Sequence, residues 1–219
     1  MSRFFKTGAA APFYRASVFE RMSEEEAMEI RSQMTPAAEA AARIVLEIPE
    51  EKMDAPTPCP DWDVRALLNH LIFWTSRGES AARKAPPAGP AEDHDFTAEP
   101  GWAERFAEQA RRTAEAWQDP AAWEGNTSLT GNKEGMPAGF IGGIVLGECV
   151  LHGWDLAVAA GREPAFPEPV LRAAWEQVVS TAEISRQYGA LGPEVAVPED
   201  APLLDRLLGM SGRDPYWKP

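Results

Sequence analysis

Three histidines occur in the chain, His70, His94 and His152, and one of them stands four residues after a glutamate, Glu148. On a helix, four residues at about 100° each come to about 400°, so Glu148 and His152 share one face about a turn apart. A carboxylate and an imidazole so spaced can hold the same ion. With His70 contributed by another helix, the set becomes two nitrogens and one oxygen. Three protein ligands and an open position suit Zn²⁺, and the same donors accept Ni²⁺, Co²⁺, Mn²⁺ or Fe²⁺. Taken alone, such a pair is more often a surface hydrogen bond between Glu148 and His152, and a lone histidine such as His70 more often a satisfied core residue.

The surroundings favour the metal. Glu148 and His152 are embedded in GFIGGIVLGECVLHGWDLAVAAG, a stretch of apolar and small residues. A carboxylate buried there needs a partner, because an unpaired buried charge is costly. Gly142, Gly143, Gly147 and Gly153 weaken a helix unless close backbone approach or room for a ligand requires them.

The elements that must carry these residues are legible as helices. Thr35-Pro36 reads as an N-cap and first helical residue, followed by Ala41, Ile44, Val45 and Ile48 at helical spacing until Pro49. Residues 1–34 are expected to be a loosely ordered N-terminal extension, and 35–219 the bundle. A second helix starts near Asp63, with the stripe Val64, Leu67, Leu68, Leu71, Ile72 and Thr75, and runs to about Lys84. His70 falls at the flank of that stripe. A third helix spans about Pro100 to Gln118, and a fourth Pro137 to Ala160 with Gly161 just past its end. Glu168 to about Tyr188 forms a fifth and Ala201 to Leu208 a short sixth. No alternating strand pattern is evident, so the expected class is all-α, a four-helix bundle with extra C-terminal helices.

Composition narrows the partners. A net charge of −13 argues against nucleic acid, which needs clustered Lys and Arg, and against an anionic membrane surface. No run reaches the roughly 20 uninterrupted apolar residues of a membrane helix. The two cysteines, Cys59 and Cys149, and the lack of an apolar h-region near the N-terminus lead to an expected cytoplasmic setting. Cys149 reads as a buried, inert thiol; Cys59 as a partly exposed one with no evident base beside it. His94, in AEDHDF, reads as part of a solvated loop.

TPCPDWDVRALLNHL, GECVLHGWDLAVAAG and the ending YGALGPEVAVPEDAPLLDRLLGMSGRDP occur in that order. Together they resemble the DinB/YfiT-like superfamily, in the actinobacterial branch that includes the mycothiol-dependent maleylpyruvate isomerase metal-binding domain. The resemblance covers about Thr35 to Pro215. It implies a DinB-like up-down-down-up bundle with a long crossover, and a divalent metal held by His70, Glu148 and His152. Asp155 matches the same motif, either to orient a ligand or to cap or pair on the helix surface. Trp74 and Trp154 are expected to wall the pocket, and Arg213 to reach over it as an anion-binding residue. The implied chemistry is that of a thiol, such as mycothiol, activated at the metal for transfer or isomerisation of a small electrophile. Hydrolysis and non-catalytic metal or small-molecule binding are the alternatives. The expected partners are a small-molecule substrate and a low-molecular-weight thiol, with a homodimer as a possibility from the same resemblance.

Overall fold

The computed structural model describes residues 23–187 and 189–219. Their order is α1 (Glu24–Leu46), α2 (Val64–Ala82), α3 (Trp102–Ala116), α4 (Ala138–Ala159), α5 (Glu168–Gln187) and α6 (Leu203–Met210). A two-residue ribbon pairs Asn126–Thr127 antiparallel to Met136–Pro137. At that length no alternation is visible in sequence, and the all-α class stands.

Contacts along the helices fix their directions. Thr113 Oγ1 donates to Thr75 O and Trp117 Nε1 to Gly78 O, so α2 and α3 advance together. His70 meets Glu148 while Gly78 faces Val145, so α4 runs against α2. Gln118, just past the end of α3, bonds Arg31 and Thr35 in the first half of α1. Ile44, late in α1, faces Gly153, late in α4. The directions are therefore up, down, down, up, with α1 and α2 each packed between α3 and α4.

The start of α1 differs from the sequence expectation. Ser23 is its N-cap: its Oγ accepts from the Glu26 N–H at 3.1 Å, and the Glu26 carboxylate accepts from the Ser23 N–H at 2.7 Å. Pro36 consequently lies inside the helix rather than at its first turn. Burial explains why the helix continues through it. Ile30 and Met34 extend the Ala37–Ala41 stripe into the core and are 6% and 3% exposed. The remainder of the expected extension, residues 1–22, lies outside the described residues.

α4 is the central element. By length and composition it could cross a bilayer, yet 83% of its apolar window is buried inside the protein. Its glycines serve close packing. A Cβ on Gly142 would come within 2.7 Å of the Trp123 ring and 3.1 Å of Trp117, and one on Gly143 within 2.6 Å of Gln177 Cγ. The two tryptophans cannot withdraw freely, because Trp123 Nε1 donates to Trp117 O at 2.7 Å and Trp117 Nε1 to Gly78 O at 3.1 Å. Gly147 faces only Gln177 Oε1, at 3.4 Å. Gly142→Ala is therefore expected to destabilise the protein by about 1–3 kcal/mol through overpacking. Gly147→Ala should be neutral or stabilising by up to about 1 kcal/mol from helix propensity. Urea titration of the two variants distinguishes these outcomes.

Candidate metal centre

Asp63 caps α2 by accepting the Ala66 N–H at 2.8 Å. The helix then buries Val64, Leu67, Leu68 and Leu71 completely. This rotation carries His70 inward as well, to 6% exposure, against the α4 residues Glu148 and His152. His70 Nε2 lies 3.0 Å from Glu148 Oε2, and His152 Nε2 lies 3.6 Å from the same oxygen. The three ligand atoms all fall within 4.8 Å of one another. Donors about 2.0–2.1 Å from a tetrahedral Zn²⁺ are themselves roughly 3.3 Å apart. The group thus has the donor types and the spacing of a metal site.

The second carboxylate fixes which imidazole nitrogen is available. Asp155 Oδ2 is 2.9 Å from His152 Nδ1, which leaves Nε2 directed at Glu148. A carboxylate on the far nitrogen selects the tautomer and raises the basicity of the other. Asp155 is fully buried, and its charge is balanced by Arg213, whose Nε and Nη2 donate to Oδ1 and Oδ2 at 2.9 and 2.8 Å. Arg213 does reach the site from the C-terminal segment, but the anion it holds is Asp155. Its arrival depends on Gly212, at φ +84° and with Gly192 Cα 2.7 Å from where a Cβ would be.

The electrostatics follow this arrangement. Burial would raise the pKa of Glu148, but the charge of His152 and the hydrogen bond from His70 hold it down to about 2. Burial would lower that of His152, but Glu148, Asp155 and Cys59 push it up to about 10. Desolvation dominates at His70, whose pKa is lowered. Burial opposes the charges of Asp155 and Arg213, yet each stabilises the other, so Asp155 is held low and Arg213 high. Without an ion, a proton on His152 balances Glu148, while Arg213 balances Asp155. An ion entering the group must displace that proton.

Trp74 lies on the far side of His70, ring centroids 6.2 Å apart, and also lines a cavity of about 190 Å³ with Phe73, Arg77 and Leu129. Trp154 is buried in the core. The ring that covers both histidines is Trp62, 4.4 Å from His70 and 6.0 Å from His152, which the sequence did not mark out from the other tryptophans. Cys59 also departs from expectation. Acid–base partners do stand beside it: its Sγ is 3.3 Å from Asp155 Oδ2, and Cys59, His152 and Asp155 form a second close group. That group is ill suited to a cation, because both Asp155 oxygens already accept from Arg213. Cys149 is buried, and burial with the neighbouring Glu148 pushes its thiol up to about 12. His94 is partly exposed, pairs with Glu99 at 2.7 Å, and joins no ligand group among the described residues.

Residues 34–157 match the family described as the mycothiol maleylpyruvate isomerase N-terminal domain. The chain belongs to that family. The matched span is more than half of the chain and includes His70, Glu148, His152 and Asp155. No curated protein and no solved structure matches the chain. The family match ends within α4, so α5, α6 and the Arg213 segment lie beyond it.

Two outcomes are expected of this family member. Asp155→Asn should weaken divalent-metal affinity by about tenfold to a hundredfold, as loss of a group behind a ligand does; competition with a chelator measures it. Because His152 is protonated below about pH 10, metal uptake should release a proton near neutrality. Apparent affinity should then rise by about tenfold per pH unit between pH 6 and 9. Calorimetry in buffers of different ionisation enthalpy reads that proton directly, and a pH-independent affinity would contradict the assignment of His152.

Proposed function

We propose that this protein binds one divalent metal ion, Zn²⁺ first among the candidates, and uses it with a low-molecular-weight thiol to act on a small electrophile. The single observation that carries this reading is the convergence of His70, Glu148 and His152 from two helices with donor spacings of 3.0 and 3.6 Å. A divalent ion there supplies Lewis-acid stabilisation of a thiolate at neutral pH. The family's description names mycothiol and maleylpyruvate isomerase, and the thiol comes to this chain from that name.

The chain's own residues have separable tasks in this reading. Glu148 provides the negative charge that offsets the cation. His70, kept neutral by burial, can offer Nε2 to an ion by carrying its proton on Nδ1, with no net proton loss. Asp155 orients His152, and Arg213 keeps Asp155 ionised and directed. Trp62 gives the site an apolar wall, which suits an uncharged or delocalised acceptor and helps exclude bulk water. Both cysteines are free, in keeping with a reducing, cytoplasmic setting.

The experiment is incubation of metal-loaded protein with mycothiol and a bimane electrophile, following the conjugate by fluorescence. Conjugation above the uncatalysed rate, lost together with bound metal in His152→Ala, is expected. No acceleration, with metal shown to be bound, contradicts the thiol reading and leaves a metal-binding protein of another kind.

A further inference from the structure

The three ligands are nearly closed off: His70 and His152 are each 6% exposed, and the Glu148 side chain is 11% exposed. Access for a small molecule is restricted at this burial. The segment between Pro56 and Asp63 lies against two of the ligands through Trp62. Its base is clamped, with Val64 N–H donating to Ala55 O at 3.0 Å, Arg65 N–H to Met53 O at 2.8 Å, and Pro56 bridged to Asp63. Its interior is braced on itself. Thr57 Oγ1 donates to Trp62 O at 2.8 Å with Cys59 O 3.1 Å away, the Cys59 N–H donates back to Thr57 Oγ1, and the Trp62 N–H donates to Cys59 O.

What ties this knob to the metal centre is weak by comparison. Trp62 packs against the core and lays its ring on His70 and His152 without a polar bond to either, and Cys59 reaches both Asp155, at 3.3 Å, and His152 through its thiol alone. An S–H donor is a poor one. A unit rigid within itself, pinned at its base and held at its tip by a ring face and a thiol, can swing as one piece.

We propose that residues 56–63 form a lid over the metal centre, with Trp62 as its shutter and Cys59 as its latch on Asp155. The proposal rests on the metal reading above but not on the thiol chemistry. A lid controls passage in both directions, so it alters the rates of entry and escape together while leaving their ratio nearly unchanged.

The test is stopped-flow Zn²⁺ entry into the full-length metal-free protein, and Zn²⁺ removal by a coloured chelator. Trp62→Ala is expected to accelerate both by about tenfold or more. Cys59→Ala should accelerate both by a smaller factor, and Cys59→Ser, which keeps a donor toward Asp155, should restore the slow rates. If Trp62→Ala does not fold, Trp62→Phe carries the same signs with a smaller ring. Unchanged rates, or faster loss alone with a weaker affinity, overturn the lid while the metal site stands. Absence of any bound Zn²⁺ in wild type overturns both.

Discussion

Charge alternation inside the bundle is the constraint on which the rest depends. Arg213, Asp155, His152, Glu148 and His70 form one continuous buried chain, each touching the next at 2.8 to 3.6 Å. Singly, none of the charged members could be buried without a penalty of several kcal/mol. In sequence they are tolerated: a cation on an anion, an anion on an imidazole, and a carboxylate between two imidazoles. The same alternation leaves the Glu148 end of the chain attractive to a divalent cation, which would take the place of the His152 proton. Stability and the proposed metal affinity thus draw on one arrangement.

The fold supplies that arrangement from three separate stretches of chain. Antiparallel packing of α2 and α4 brings His70 to Glu148, and one helical turn brings His152 to the same oxygen. A further turn brings Asp155 behind His152, where the C-terminal segment delivers Arg213. Breaking a buried pair by removing one partner costs about 3–5 kcal/mol, so Arg213 also fastens the segment after α6 to the bundle. Because the family match stops within α4, this fastening comes from residues beyond the matched domain.

Much of this was legible in the sequence, for reasons that are local. The α2 stripe and the Asp63 cap sit within a few residues of His70, and the Glu148–His152 spacing lies within one turn. The start of α1 was misplaced because Pro36 is a strong local signal. The contrary signal, Ser23-Glu24-Glu25-Glu26 ahead of Ile30 and Met34, is a capping box followed by an apolar stripe. Other features depended on distance. The partner of Arg213 is 58 residues away, and the contact of Cys59 with Asp155 spans 96. Trp62 lies before the helix whose ligand it covers, where periodicity assigns no face. No spacing rule reaches such pairs; packing alone brings them together.

In the proposed centre one ion is held by two imidazoles and one carboxylate, with no sulfur. X-ray absorption of the protein loaded with one equivalent of Zn²⁺ tests it most directly, because Zn–N and Zn–O distances of about 2.0–2.1 Å are well separated from Zn–S at about 2.3 Å. A shell of nitrogen and oxygen with the scattering signature of two imidazoles is the predicted result. A sulfur in the shell would contradict it, moving the ion to Cys59 and away from the group formed by His70, Glu148 and His152.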